Sequence, residues 1–146
     1  MKRQWLVVLA LVFVAALVPV QTVGTTTKTT TSFTNGITRH VVAWVSSAGG
    51  AVSANTIAIA GNTRVVQVKA VPDGGGTQPT DLYDLTLVDA NSIDVLAGAG
   101  ANLSNATGKI MSVAYPGVFV GGGTIDIVIA NAGNAKGGTI TIWIQR

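Results

Sequence analysis

An all-β fold, an antiparallel β-sandwich of about eight strands in a jelly-roll-like arrangement behind an N-terminal hydrophobic helix, is predicted by three features of this chain. Only 10% of the residues are charged against 48% hydrophobic, and every acid is Asp. The residues that favour exposed helix positions (Glu, Lys, Arg, Leu) are thin on the ground, whereas Val, Ile and Thr, which fit a pleated half-buried surface, abound. From Thr38 onward, short apolar runs alternate with turn residues at the spacing of a sandwich or barrel. Periodicity alone does not separate those two closures.

The first element is the leader. Lys2 and Arg3 precede an uncharged apolar run over residues 5–18, followed by Pro19. This is the layout of a secretory signal peptide cleaved near Gly24. As a helix, residues 5–18 reach about 21 Å, short of a hydrocarbon core of roughly 30 Å. Extending the run to Val23 brings it nearer to spanning length, so an uncleaved membrane anchor over residues 5–23 is the alternative. Either reading implies an exported protein: secreted, periplasmic or tethered to the cell surface. Residues 25–37 open with TTTKTTTS. That stretch lacks large apolar side chains and reads as an extended linker or stalk. The folded domain is then expected over 38–146, a length that supports one independent core.

Within it the expected strands are Thr38–Ser46, Asn55–Ala60, Thr63–Val71, Leu82–Val88, Ser92–Leu96, Lys109–Tyr115, Gly123–Ala130 and Thr139–Gln145. Gly49-Gly50, Gly61-Asn62, Pro72-Asp73-Gly74-Gly75-Gly76, Gly121-Gly122-Gly123 and Gly137-Gly138 break them apart. Ile125, Ile127 and Ile129 fall on one face of their strand, as do Ile140, Ile142 and Ile144 on theirs. A loop over Asn131–Gly138 would return the last strand antiparallel to the one before, putting both isoleucine rows on one side of the same sheet. Leu82–Leu96 reads as a second hairpin. Tyr83, Leu85 and Leu87 share a face there, and Asp89 to Ser92 form the turn.

Composition removes several function classes. The chain has no cysteine, which excludes disulfides and thiolate metal sites. The whole-chain charge of +3 shrinks to +1 without Lys2 and Arg3, since seven bases then face six Asp. That is no footprint for nucleic acid, which needs clustered Lys and Arg. His40 is the only histidine, so multi-histidine metal sites are ruled out. Alternation places it beside Val42 and Trp44, as a packed or surface strand histidine rather than a catalytic base.

Three further patterns have a functional and a structural reading. Asp81, Asp84, Asp89 and Asp94 cluster in sequence, and Asp89, Asn91 and Asp94 are candidate oxygen ligands for calcium. The spacing falls short of an EF-hand loop, and turn capping explains these acids as well. A pair of them is also the minimum for glycoside hydrolysis, although no catalytic residue is assigned. Gly98–Lys109 misses the phosphate-loop spacing and reads as a mobile surface loop, with acceptor sequons at Asn102 and Asn105. Trp143 alternates away from the isoleucine row. It and Trp44 are the candidate interface residues, because an exposed Trp marks a contact surface.

The segment Tyr83-Asp-Leu-Thr-Leu-Val-Asp-Ala-Asn-Ser-Ile-Asp-Val-Leu96, the run Gly98-Ala-Gly-Ala-Asn-Leu-Ser104 and the ending Ile129-Ala-Asn-Ala-Gly-Asn-Ala-Lys136 resemble small structural proteins of tailed bacteriophages and prophages. The resemblance covers roughly 38–146. It implies a virion surface, decoration or tail-associated β-domain that acts by self-association or shell binding, with no catalytic residues to carry over. Two functions therefore stand side by side: a non-enzymatic assembly module that forms homo-oligomers or larger assemblies, and an exported carbohydrate- or surface-binding module.

Overall fold

The computed structural model describes residues 24–113, 118–120 and 123–146. The expected leader helix and the end of the expected strand at Tyr115 lie outside these residues. Among the described residues the chain is all-β, with nine strands and a single short 3₁₀ turn at Gly75–Thr77. No helix there is long and apolar enough to cross a membrane.

The strands are β1 (Thr25–Ser32), β2 (Ile37–Val45), β3 (Val52–Ile59), β4 (Thr63–Pro72), β5 (Asp84–Asp89), β6 (Lys109–Ser112), β7 (Val118–Val120), β8 (Gly123–Ala130) and β9 (Gly137–Gln145). They form two antiparallel sheets. The larger runs β1-β2-β9-β4-β6, with β7 also on β4, and the smaller runs β3-β8-β5. β9 sits at the centre of the larger sheet, between β2 and β4.

One core fills the space between the sheets. β2 contributes Val42 and Trp44, β9 contributes Ile140, Ile142 and Ile144, and β8 contributes Ile125, Ile127 and Ile129 from the opposite side. Each such residue stabilises the fold by roughly 1.5–3 kcal/mol through burial. The isoleucine rows thus belong to two different sheets and face each other, where one hairpin was expected. The connection over 131–136 crosses between layers because it is pinned on the way. Ala132 is buried, its carbonyl accepts from the Thr80 amide, and its own amide donates to the Gly50 carbonyl.

Two register shifts reconcile buried residues of mixed parity. On β4 an extra residue between Val65 and Gln67 lets Val65 and then Val68 and Ala70 all point inward. On β3 a shift between Val52 and Asn55 does the same for Val52 and Ile57.

Three other expectations are corrected. The Thr-rich stretch is a strand, β1, paired residue for residue with β2 from Thr25↔Val45 to Ser32↔Thr38. Threonine is β-branched and suits a strand whose partner supplies the apolar contacts. Gly137 and Gly138 are the first residues of β9 and do not break it, because Trp44 lies across from Gly138 with its indole 2.9 Å from where a Cβ would stand. Ser92–Leu96 is no strand. Apart from one bridge at Val88↔Asp94, the chain leaves the ladder there.

The Gly98–Lys109 loop, expected to be mobile, lies along the outer side of β5. The Leu85 amide donates to the Gly100 carbonyl at 2.8 Å and the Leu103 amide to the Tyr83 carbonyl at 2.7 Å, while Leu103 is buried. That edge of the smaller sheet is therefore covered. The outer edge of β1 is guarded differently: Lys28, midway along it, faces inward and its Nζ donates to the Thr56 carbonyl of β3 at 3.3 Å. An inward-pointing charge opposes addition of another strand.

Candidate functional site

The outward face of the larger sheet is built by the residues that alternate with its core rows. Trp143 stands at its middle on β9, half-buried, with Arg39 of β2 and Gln67 of β4 directly opposite on either side. Next along the sheet come Val41, Thr141 and Lys69, then Ala43, Thr139 and Val71. Val45, Val71 and Ile110 are exposed apolar side chains on this face, Ile110 lying opposite Lys69.

Its charges are mostly positive. Arg39, Arg64 and Lys69 belong to this face by register, and its one Asp, Asp73, stands at the end of the face beside Gly137, Ala43 and Thr139. The Arg64 guanidinium is held by Gln145 Oε1 from Nε at 3.1 Å and Nη2 at 2.6 Å. The Arg39 guanidinium lies 5.8 Å from the Phe33 ring centroid, a cation–π contact, and its Nε is buried without a hydrogen-bond partner. An orphaned donor of this kind costs free energy until an acceptor reaches it.

The other five acids lie elsewhere. Asp84 and Asp126 are on the outer face of the smaller sheet, Asp89 ends β5, and Asp81 and Asp94 are in the connections beside it. Their oxygens accept from nearby backbone amides and, at Asp126 and Asp84, from the Thr56 hydroxyl and the Asn131 side-chain amide. Asp89 Oδ1 accepts from the amides of Asn91 and Ile93, which holds its carboxyl below the usual range. Asp94 Oδ1 accepts from Leu87 and Leu96, and its Oδ2 from Gly98. Asp81 and Asp84 take the amides of Asn105 and Asn102. Of the candidate calcium ligands Asp89, Asn91 and Asp94, the two carboxylates thus serve as turn acceptors, with Asn91 beside Asp89, and among the described residues no cluster of three acidic or histidine ligands exists.

Trp44 is corrected as an interface residue. Its side chain is 2% exposed, with its ring centroid 5.9 Å from that of Tyr83, inside the core. Alternation put it on the right row, but that row faces inward. Trp143, by the same rule, faces outward as expected. Phe33 was missed, because residues 25–37 read as linker and carried no apolar period, and Arg39 was read only as part of the strand Thr38–Ser46.

His40 lies on the inner side, 7% exposed, with Nδ1 3.0 Å from Thr30 Oγ1. Burial, then the Lys28 charge, hold its pKa below the ordinary 6.5. The unfolded chain therefore takes up a proton more readily than the folded one, so stability is complete above that ordinary value and falls as pH drops through it. Thermal unfolding followed by circular dichroism should show a lower midpoint near about pH 5 than at about pH 7.5, and His40→Gln should flatten that slope.

No family model, curated protein or solved structure matches this chain.

Proposed function

We propose that the protein is a non-enzymatic assembly module whose copies associate head to tail, the Trp143 face of one against the Asp-bearing smaller sheet of the next. The observation that carries this reading is the separation of charge. Arg39, Arg64 and Lys69 surround Trp143, with only Asp73 at the far end of that face, while Asp84 and Asp126 mark the opposite face. Two like faces would repel, whereas unlike faces attract and align. A contact between different faces does not close by two-fold symmetry, so it builds rings or filaments. Guarded edges support face-to-face contact, since Lys28 opposes growth by strand addition. The engagement of the acids as turn acceptors supports a role other than catalysis.

The strand orders β2-β9-β4-β6 and β3-β8-β5 support a jelly-roll-like reading of the two sheets, an arrangement used by capsid and lectin domains. A phage particle is the shell that the resemblance of Tyr83–Ser104 suggests such copies would coat. The positive start and apolar run of residues 2–18 support export of the chain.

Sedimentation velocity of the purified protein over rising concentration is the test. Association at low salt that weakens at high salt is expected, with Trp143→Ala or Lys69→Glu shifting the protein to monomer while its circular dichroism is unchanged. A protein that stays monomeric at every concentration and salt would sink the proposal.

A further inference from the structure

Away from the Trp143 face, the inward row of the larger sheet changes character at one end. Along β2 it reads Trp44, Val42, His40, Thr38, and the facing positions of β1 are Thr30 and Ser32. Apolar residues give way to hydroxyls and an imidazole just where the sheets part. A cavity of about 430 Å³ opens there, between the β1–β2 hairpin and the turn joining β3 to β4. Its size falls in the range of small-molecule sites. A core closing on itself would place apolar side chains at these positions; four polar ones in an inward row have hydrogen-bonding capacity for something else.

We propose that this cavity binds a single pyranose ring. Thr30, Ser32 and Thr38 line it, and each hydroxyl can both donate and accept, which matches the alternating demands of sugar hydroxyls. His40 lines it too; with Nδ1 engaged by the Thr30 hydroxyl, it offers its other ring nitrogen. Phe33, 44% exposed, forms part of the wall and supplies the apolar surface on which the C–H face of a sugar packs. No acidic side chain lies in the lining. Arg146 brings one positive charge, which suits a ring that is neutral or carries one carboxylate. This site meets the assembly face only through the Phe33–Arg39 contact, and Thr38→Val, away from that contact, lets either proposal fail without the other.

The test is NMR titration of the full chain, ¹⁵N-labelled, with glucose, galactose, mannose, glucuronate and galacturonate in turn. At least one sugar is expected to shift the His40 imidazole signals and the Gly36 amide saturably. A hexuronate binding more tightly than its parent hexose would assign Arg146 to the carboxylate, and equal binding would assign the site to neutral rings. Phe33→Ala and Thr38→Val, both at the cavity wall, should each weaken the responding sugar about tenfold while leaving the unbound spectrum folded. Absence of saturable shifts with all five sugars overturns the proposal, and so do shifts confined to residues around Trp143.

Discussion

Replacement of Gly100 by alanine is expected to destabilise the protein by about 3 kcal/mol or more. A Cβ at this position would stand 2.1 Å from the Leu85 carbonyl oxygen and 3.0 Å from Leu96 Cδ1. The first obstacle is backbone in a paired strand and cannot swing aside. The loop would have to lift away, breaking the bond from the Leu85 amide to the Gly100 carbonyl and exposing Leu103 and Leu96. Denaturant unfolding with an unchanged m-value reads the loss as stability. A loss below about 1 kcal/mol would mean that this loop is not seated on β5.

Truncation of Trp44 to alanine should cost about 3–5 kcal/mol, the usual range for emptying a buried aromatic site. The indole packs on Tyr83 and over Gly138. The nearest backbone cannot close on the space left, because Gly138 is already held in register between β2 and β4. Near-ultraviolet circular dichroism should fall along with the unfolding midpoint. Trp143→Ala provides the contrast, because its half-buried ring lies outside the core. The Trp44 variant should lose stability and keep any association it can still fold to make, whereas the Trp143 variant should lose association and keep its stability. Equal losses of stability in both would contradict the assignment of the two sheet faces.

Alternation along single strands was legible in the chain, and relations between strands were not. Ile125 to Ile129 and Ile140 to Ile144 each read correctly as one face, since side-chain direction is a local property of extended backbone. Which sheet a strand joins depends on where its connection is anchored, and the anchors of Ala132 are amide and carbonyl groups of Gly50 and Thr80. Backbone groups leave no mark in a sequence. The bulge after Val65 hid part of β4's inward row in the same way, because one added residue exchanges the faces. TTTKTTTS was set aside for lack of apolar residues, yet a strand at a sheet edge borrows its partner's. At the site, the face of Trp143 followed from its isoleucine neighbours. The cavity residues did not, because Thr30, Thr38 and His40 come together only through the pairing of β1 with β2 and the nearness of the β3–β4 turn.

The placement of β9 has a consequence for how the molecule comes into being. It is synthesised after every other strand among the described residues, yet the larger sheet is organised around it, with β2 on one flank and β4 on the other. Until it arrives, the strands carrying Trp44 and Val68 have no common neighbour and their apolar rows stay open to water. Pairings that join distant parts of a chain make folding slow, on the scale of milliseconds to seconds for β-rich topologies. The nascent protein therefore cannot complete its larger sheet from its amino-terminal end, and it remains threadable until synthesis of the sheet's central strand is finished.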